Sequence, residues 1–257
     1  MRQAFGESRS TFQRRHALVS PDSHERVRLP LWPGCELIHL ITPDLGADFS
    51  LFLADAVQGA TVGVPHAGVE RFILLRNGQA TVAIDGNPAE TLGHEGYAFL
   101  PADCDHKIDL SPKSRLIVIE RRYRPMEGAK RPEPFISAIP SHDAVPMKGD
   151  TRLMLQKLLP EDAGFDMEIN VMDFAPGASL PYVETHFMEH GLVLLNGGGI
   201  YRLEEEWYPV ECDDAIWMGP YCLQWFGAIG RENARYLIYK NWNRDPLDRP
   251  GHANVAR

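Results

Sequence analysis

The chain has 257 residues, 44% hydrophobic and 24% charged, with a formal net charge of −9. That length suits one or two folded domains, and the composition excludes a mostly disordered chain. The acidic balance argues against a polyanion-binding surface, which needs a surplus of Lys and Arg. No apolar run reaches the ~18–20 residues that span a bilayer, and residues 1–15 are polar, without the apolar core of a secretory signal. The four cysteines, Cys35, Cys104, Cys212 and Cys222, form no Cys-x-x-Cys pair and read as reduced thiols. Together these features point to a cytoplasmic protein with no nucleic-acid or membrane partner.

In chain order, short apolar runs alternate with Gly, Pro, Asn and Asp, the spacing of an all-β sandwich or barrel. Residues 79–85 alternate Ala80, Val82 and Ile84 with Thr81, Ala83 and Asp85, then turn at Asp85-Gly86-Asn87. Two apolar strands with aromatic and basic exits are predicted at 115–123 and 234–242. Between residues 124 and 148 stand Pro125, Pro132, Pro134, Pro140 and Pro146, which exclude a long helix or a central strand. This segment reads as an ordered but irregular linker. It separates a first domain at 1–123 from a second at 149–257. Helix is scarce, with short helices at most in the linker and at 152–160.

The halves repeat. Displacing the first by 120 residues lays His66 on His186, Leu74-Leu75 on Leu194-Leu195 and Gly78 on Gly198. Residues 97–101 likewise parallel 215–220. A repeat of this size implies two domains of one fold.

The chemistry concentrates at 181–197. On an extended strand Glu184 and His186 share a face. His190 begins the next strand and can return to that face. A carboxylate and two imidazoles converging inside a barrel form a metal site. Gln224, after Gly219-Pro220, can reach inward as a fourth donor. The set has no thiolate and suits Mn²⁺ or another divalent first-row metal. The plainer alternative is two strand histidines and a surface glutamate.

A barrel motif of His-x-His, three or four residues, Glu, six residues and Gly, followed later by Gly, Pro and His, marks the cupins. This chain resembles a bicupin: two tandem jelly-roll (double-stranded β-helix) barrels. Glu184, His186, His190 and Gln224 stand where cupins usually carry His, His, Glu and His. That swapped set is similar to the one in (S)-ureidoglycine aminohydrolases. The runs 158–167, 174–179, 184–191 and 243–245 resemble the family too, as do 17–22 and 42–49. The resemblance implies an Mn²⁺-dependent enzyme of allantoin breakdown that releases ammonia from (S)-ureidoglycine to give (S)-ureidoglycolate. It implies metal ligands at Glu184, His186, His190 and Gln224, and substrate contacts at Tyr201, Tyr236 and Lys240. It also implies a homo-oligomer. Tyr236 and Lys240 share parity on the last strand, and a buried Lys240 would have a lowered pKa and serve as a base.

In the first half His66 and Glu70 overlie His186 and His190, Val64 overlies Glu184, and His106 holds the usual position of the last ligand. Glu70, however, is seven residues before Gly78, so counting back six puts Arg71 in the ligand slot. A one-residue slip sends a side chain to the opposite face. Two other readings stand beside the hydrolase: a cupin dioxygenase using Glu184, His186 and His190 as a facial triad, and a non-enzymatic binding or storage bicupin.

Overall fold

The computed structural model describes residues 6–248. The ends of both predicted domains, 1–5 and 249–257, lie outside them. Among the described residues the only helices are four single 3₁₀ turns, and no helix is long and apolar enough to cross a membrane. All four cysteines are free.

The first half runs β1 (Thr11–Phe12), β2 (His16–Val19), β3 (Cys35–Ile41), β4 (Phe49–Ala56), β5 (Ala60–Val62), β6 (Val69–Asn77), β7 (Ala80–Ile84), β8 (Glu90–Leu92), β9 (Gly96–Leu100), β10 (His106–Leu110) and β11 (Arg115–Arg122). The predicted linker contributes β12 (Phe135–Ala138) and β13 (Val145–Met147). The second half runs β14 (Asp150–Lys157), β15 (Met167–Phe174), β16 (His190–Asn196), β17 (Gly198–Leu203), β18 (Glu206–Glu211), β19 (Ala215–Met218), β20 (Gln224–Ala228) and β21 (Ala234–Asn241).

Each half is a sandwich of a large and a small antiparallel sheet. The first pairs β12-β9-β6-β11-β4-β3 with β5-β10-β7-β8; the second pairs β1-β2-β19-β16-β21-β15-β14-β13 with β18-β17-β20. The alternation at 79–85 becomes β7, closed by a mirror-image turn with Asp85 at φ 50° and Gly86 at φ 72°. Asn87 N–H donates to the Ile84 carbonyl at 2.9 Å, closing the turn that opens the five-residue connection to β8. The stretch 152–160 differs from expectation: most of it is the edge-side strand β14, with Leu153 buried, paired between β13 and β15. Tertiary pairing overrides the weak local helix tendency there.

Strand pairing crosses the halves. β2 docks on β19 of the second barrel, and β12 docks on β9 of the first. Each barrel is thus completed by the strand that precedes the other. Arg9 fastens the first exchange by two hydrogen bonds, 2.7 and 2.8 Å, to the buried Asp214 carboxylate. The large sheets pack face to face around Phe49, Phe72, Tyr97, Phe99, Trp217 and Tyr239. Their outer faces enclose the separate barrel interiors.

Charge is buried in this inter-barrel layer. Arg121 lies fully inside, against Asp166 at 3.4 Å, and donates to the Asp166 carbonyl at 2.6 Å. Glu70, its cross-strand neighbour, is 0% exposed. Burial and the adjacent Asp166 raise the Glu70 pKa well above the ordinary 4.5, with Arg121 and Arg244 acting against the shift. Removing one member of such a group costs about 3–5 kcal/mol, because the remaining charge is left unpaired.

The folded protein therefore holds the Glu70 proton at pH values where the unfolded chain has lost it. This contribution is complete below pH 4.5 and declines as pH rises through the folded-state value. Glu70→Gln, which cannot ionise, removes that slope. Urea unfolding over a pH series should show the stability of the wild type relative to the variant falling with pH; a pH-independent difference would contradict the assignment.

Candidate metal centre

The second barrel opens on a cavity of about 160 Å³. Its polar wall contains Glu184, His186, His190, Gln224, Tyr201, Tyr236 and Lys240, so the seven side chains singled out in the sequence meet in one place. The remaining wall is Met147, Leu155, Asn170, Met172, Leu180, Met188 and Ile238. Pockets for drug-sized ligands are about 300–1,000 Å³, so this one suits a small polar molecule.

Strand alternation explains the gathering. Along β16 and the residue before it, Glu189, Gly191 and Val193 face the other barrel, while His190, Leu192 and Leu194 face inward. A Cβ on Gly191 would overlap the Phe49 ring, so only glycine allows the sheets to close at this point. Across the sheet His190 registers with Lys240 of β21, and Lys240 with Glu168 of β15. Glu184 lies outside a regular strand but forms an isolated bridge with Gln224, the first residue of β20. His186 follows two residues later, its backbone carbonyl accepting from Tyr221 N–H at 2.7 Å.

The imidazoles of His186 and His190 are 4.5 Å apart, centre to centre. His186 Nδ1 donates to the Met188 carbonyl at 3.1 Å, leaving Nε2 as an acceptor. Gln224 Nε2 is 2.8 Å from that atom and 3.4 Å from His190 Nδ1. A half-turn of the amide would present its oxygen to the same space. His190 Nε2 is buried without a partner. Burial, and secondarily His186, push the His190 pKa down to about 3, so this imidazole is neutral at physiological pH. Two imidazoles and an amide fit a divalent metal.

Glu184 is less ready than predicted. Lys148, in the turn between β13 and β14, donates to its carboxylate at 2.8 Å and also bonds Tyr182. Among the described residues no group of three or more His, Cys, Asp and Glu side chains is assembled to hold a metal. Lys148 competes with a metal for the Glu184 carboxylate. An ion pair this open contributes about 0–1 kcal/mol, so a metal can displace it at little cost.

The cavity also carries donors. Tyr201 and Tyr236 are buried and hydrogen-bonded to each other; burial raises both pKa values, so both hydroxyls keep their protons. Lys240 pairs with Glu168 and lies 4.4 Å from the Trp242 ring centre. Burial, then the nearby Lys157 charge, push its ammonium down to about 8, while the Glu161 charge acts the other way. Sequence reasoning missed Glu168, Lys148 and Asn170. Glu168 and Asn170 were detectable as polar residues alternating with Met167, Ile169 and Val171 on a largely apolar strand.

The first barrel carries no such gathering. His66 is exposed, Glu70 faces the other barrel, and Arg71 occupies the inward position. Arg71 donates to Glu120 at 2.7 Å and to the Gly63 carbonyl at 2.8 Å; its guanidinium is 3.0 Å from His106 Nε2 and 5.0 Å from the Trp32 ring centre. Burial and Arg71 lower the His106 pKa to about 4. The row Arg71–Glu120 thus replaces His190–Lys240, with a fixed cation filling the slot.

The chain is 38% identical over 242 residues to the (S)-ureidoglycine aminohydrolase of Arabidopsis thaliana, covering 94% of this chain and 80% of that one. It is 34% identical over 234 residues to the (S)-ureidoglycine aminohydrolase of Escherichia coli K12, covering 89% of each. The crystal structure of the E. coli protein Ylba superposes with a TM-score of 0.83 at 31% identity, over 93% of this chain and 96% of that one. No family model matches the chain.

The charges of Lys157 and Glu161 act on Lys240 in opposite directions. In metal-free protein, ¹³C NMR of the lysine ε-carbons should show Lys157→Met raising the Lys240 pKa and Glu161→Gln lowering it. An unmoved Lys240 titration in both variants would contradict the pairing.

Proposed function

The chain belongs to the (S)-ureidoglycine aminohydrolase family, and on that premise we propose that this bicupin hydrolyses (S)-ureidoglycine to (S)-ureidoglycolate and ammonia in allantoin breakdown. The carrying observation is the single small cavity lined at once by Glu184, His186, His190, Gln224, Tyr201, Tyr236 and Lys240. Glu184, His186, His190 and Gln224 would hold Mn²⁺. Such an ion supplies Lewis acidity and a fixed charge that orients a substrate.

The reaction exchanges an amino group for a hydroxyl at one carbon. The leaving nitrogen gains a proton and the incoming water loses one, so one nearby group of adjustable charge can serve both needs. Lys240 is that group: largely buried, held by Glu168, and lowered towards neutrality by burial. The protonated Tyr201 and Tyr236 hydroxyls are donors for the substrate carboxylate or carbonyl. Met172, Leu180 and Ile238 fill the wall between these polar groups and exclude bulk water, which strengthens every polar contact inside. The remainder of the reading is a cytoplasmic homo-oligomer with a small-molecule substrate.

The test is ammonia release from ureidoglycine, generated in situ from allantoate, by Mn²⁺-loaded wild type and Glu184→Ala, with chiral analysis of the product. Rapid formation of the (S) product, lost in the variant, is expected. A wild-type rate no faster than spontaneous decay would sink the proposal.

A further inference from the structure

We infer that Asn170 recognises the ureido end of the substrate, an inference that rests on the reading of the cavity given above. Asn170 lies in the middle of β15 and is 4% exposed. It lines the cavity, and its Oδ1 is fully buried with no hydrogen-bond partner. Its cross-strand neighbour on β21 is Ile238, and Met172 follows it on the same face. Its cross-strand neighbour on β14, Lys157, and Glu168 two residues before it on the same face are 3.6 Å apart and pair with each other, so neither gives the amide oxygen a partner. An unmade hydrogen bond on a buried amide is costly, and few such groups persist in folded proteins. The side chain that remains is therefore aimed at a group arriving from the cavity.

The chemistry of that group follows from the amide. A carboxamide presents a donor and an acceptor side by side in one plane, and this holds whichever way the amide is turned. A carboxylate offers only acceptors and an ammonium only donors. A terminal ureido group offers an N–H and a carbonyl oxygen in the same plane, so two parallel hydrogen bonds close a ring with Asn170. The charged and hydroxyl groups, Lys240, Tyr201 and Tyr236, are left for the carboxylate end. Asn170 thus sets which end of the molecule faces β15, and it discriminates against acyl groups that lack the terminal amine.

The test compares two ligands that lack the leaving amino group. Hydantoate (N-carbamoylglycine) keeps both the ureido and carboxylate ends; N-acetylglycine replaces the terminal amine with a methyl. Isothermal titration of Mn²⁺-loaded wild type should favour hydantoate by about tenfold to hundredfold, the range for a buried acceptor left unpaired. Asn170→Leu, close in size, and Asn170→Ala, smaller, should each lose that preference while binding N-acetylglycine within about twofold of wild type. A wild type that binds both ligands equally overturns the inference without any variant. A preference that survives in a folded variant, checked by circular dichroism, overturns it as well. If the wild type binds neither ligand, the aminohydrolase reading of the cavity fails, and the inference with it.

Discussion

The contact of Gly191 with Phe49 is the constraint on which the site depends. It makes the residues of β16 alternate between two destinations: odd-numbered positions enter the layer between the barrels, even-numbered ones enter the second barrel. Phe49 in turn stacks on Tyr239, with ring centres 4.0 Å apart, and so constrains β21 in the same way. Tyr239 faces the partner sheet; Tyr236, Ile238 and Lys240 face the cavity. A side chain at position 191 would force the sheets apart or slip the strand, and a slip of one residue would turn His190 away from the cavity.

The first barrel shows the opposite outcome of the same rule. There Glu70, Phe72 and Leu74 face the interface, and Arg71, Ile73 and Leu75 face inward. The inward place that His190 holds in the second barrel falls to an arginine already satisfied by Glu120, Gly63 and His106. The carboxylate that resembled a ligand joins Arg121 and Asp166 in the buried layer instead. Duplication has thus yielded one barrel with free donors around a cavity and one whose interior polar groups neutralise each other. The reciprocal strands β2 and β12 bind the two into a single body, so the quieter barrel acts as scaffold for the other.

Much of this was legible in the sequence because strand parity is local. Turn residues marked the hairpin at Asp85-Gly86, period two placed Tyr236 with Lys240, and the count from Gly78 pointed to Arg71. What depends on pairing between distant strands was not legible. The displacement of 120 residues aligned Leu74-Leu75 with Leu194-Leu195, yet Leu74 and Leu194 face different cores, because along β6 and β16 the correspondence is one residue shorter, with Arg71 opposite Glu120 answering His190 opposite Lys240. The Glu168–Lys240 and Lys148–Glu184 pairs join strands or turns that no local pattern links. The exchange of β2 onto the second barrel is equally non-local, and so is the burial that leaves Asn170 without a partner.

The most direct measurement of the account is the number of Mn²⁺ ions each chain binds, read by electron paramagnetic resonance during titration of metal-free protein. One ion per chain is predicted, retained in His106→Ala and lost in His186→Ala. Two ions per chain, or one that survives His186→Ala, would contradict a single metal centre in the second barrel.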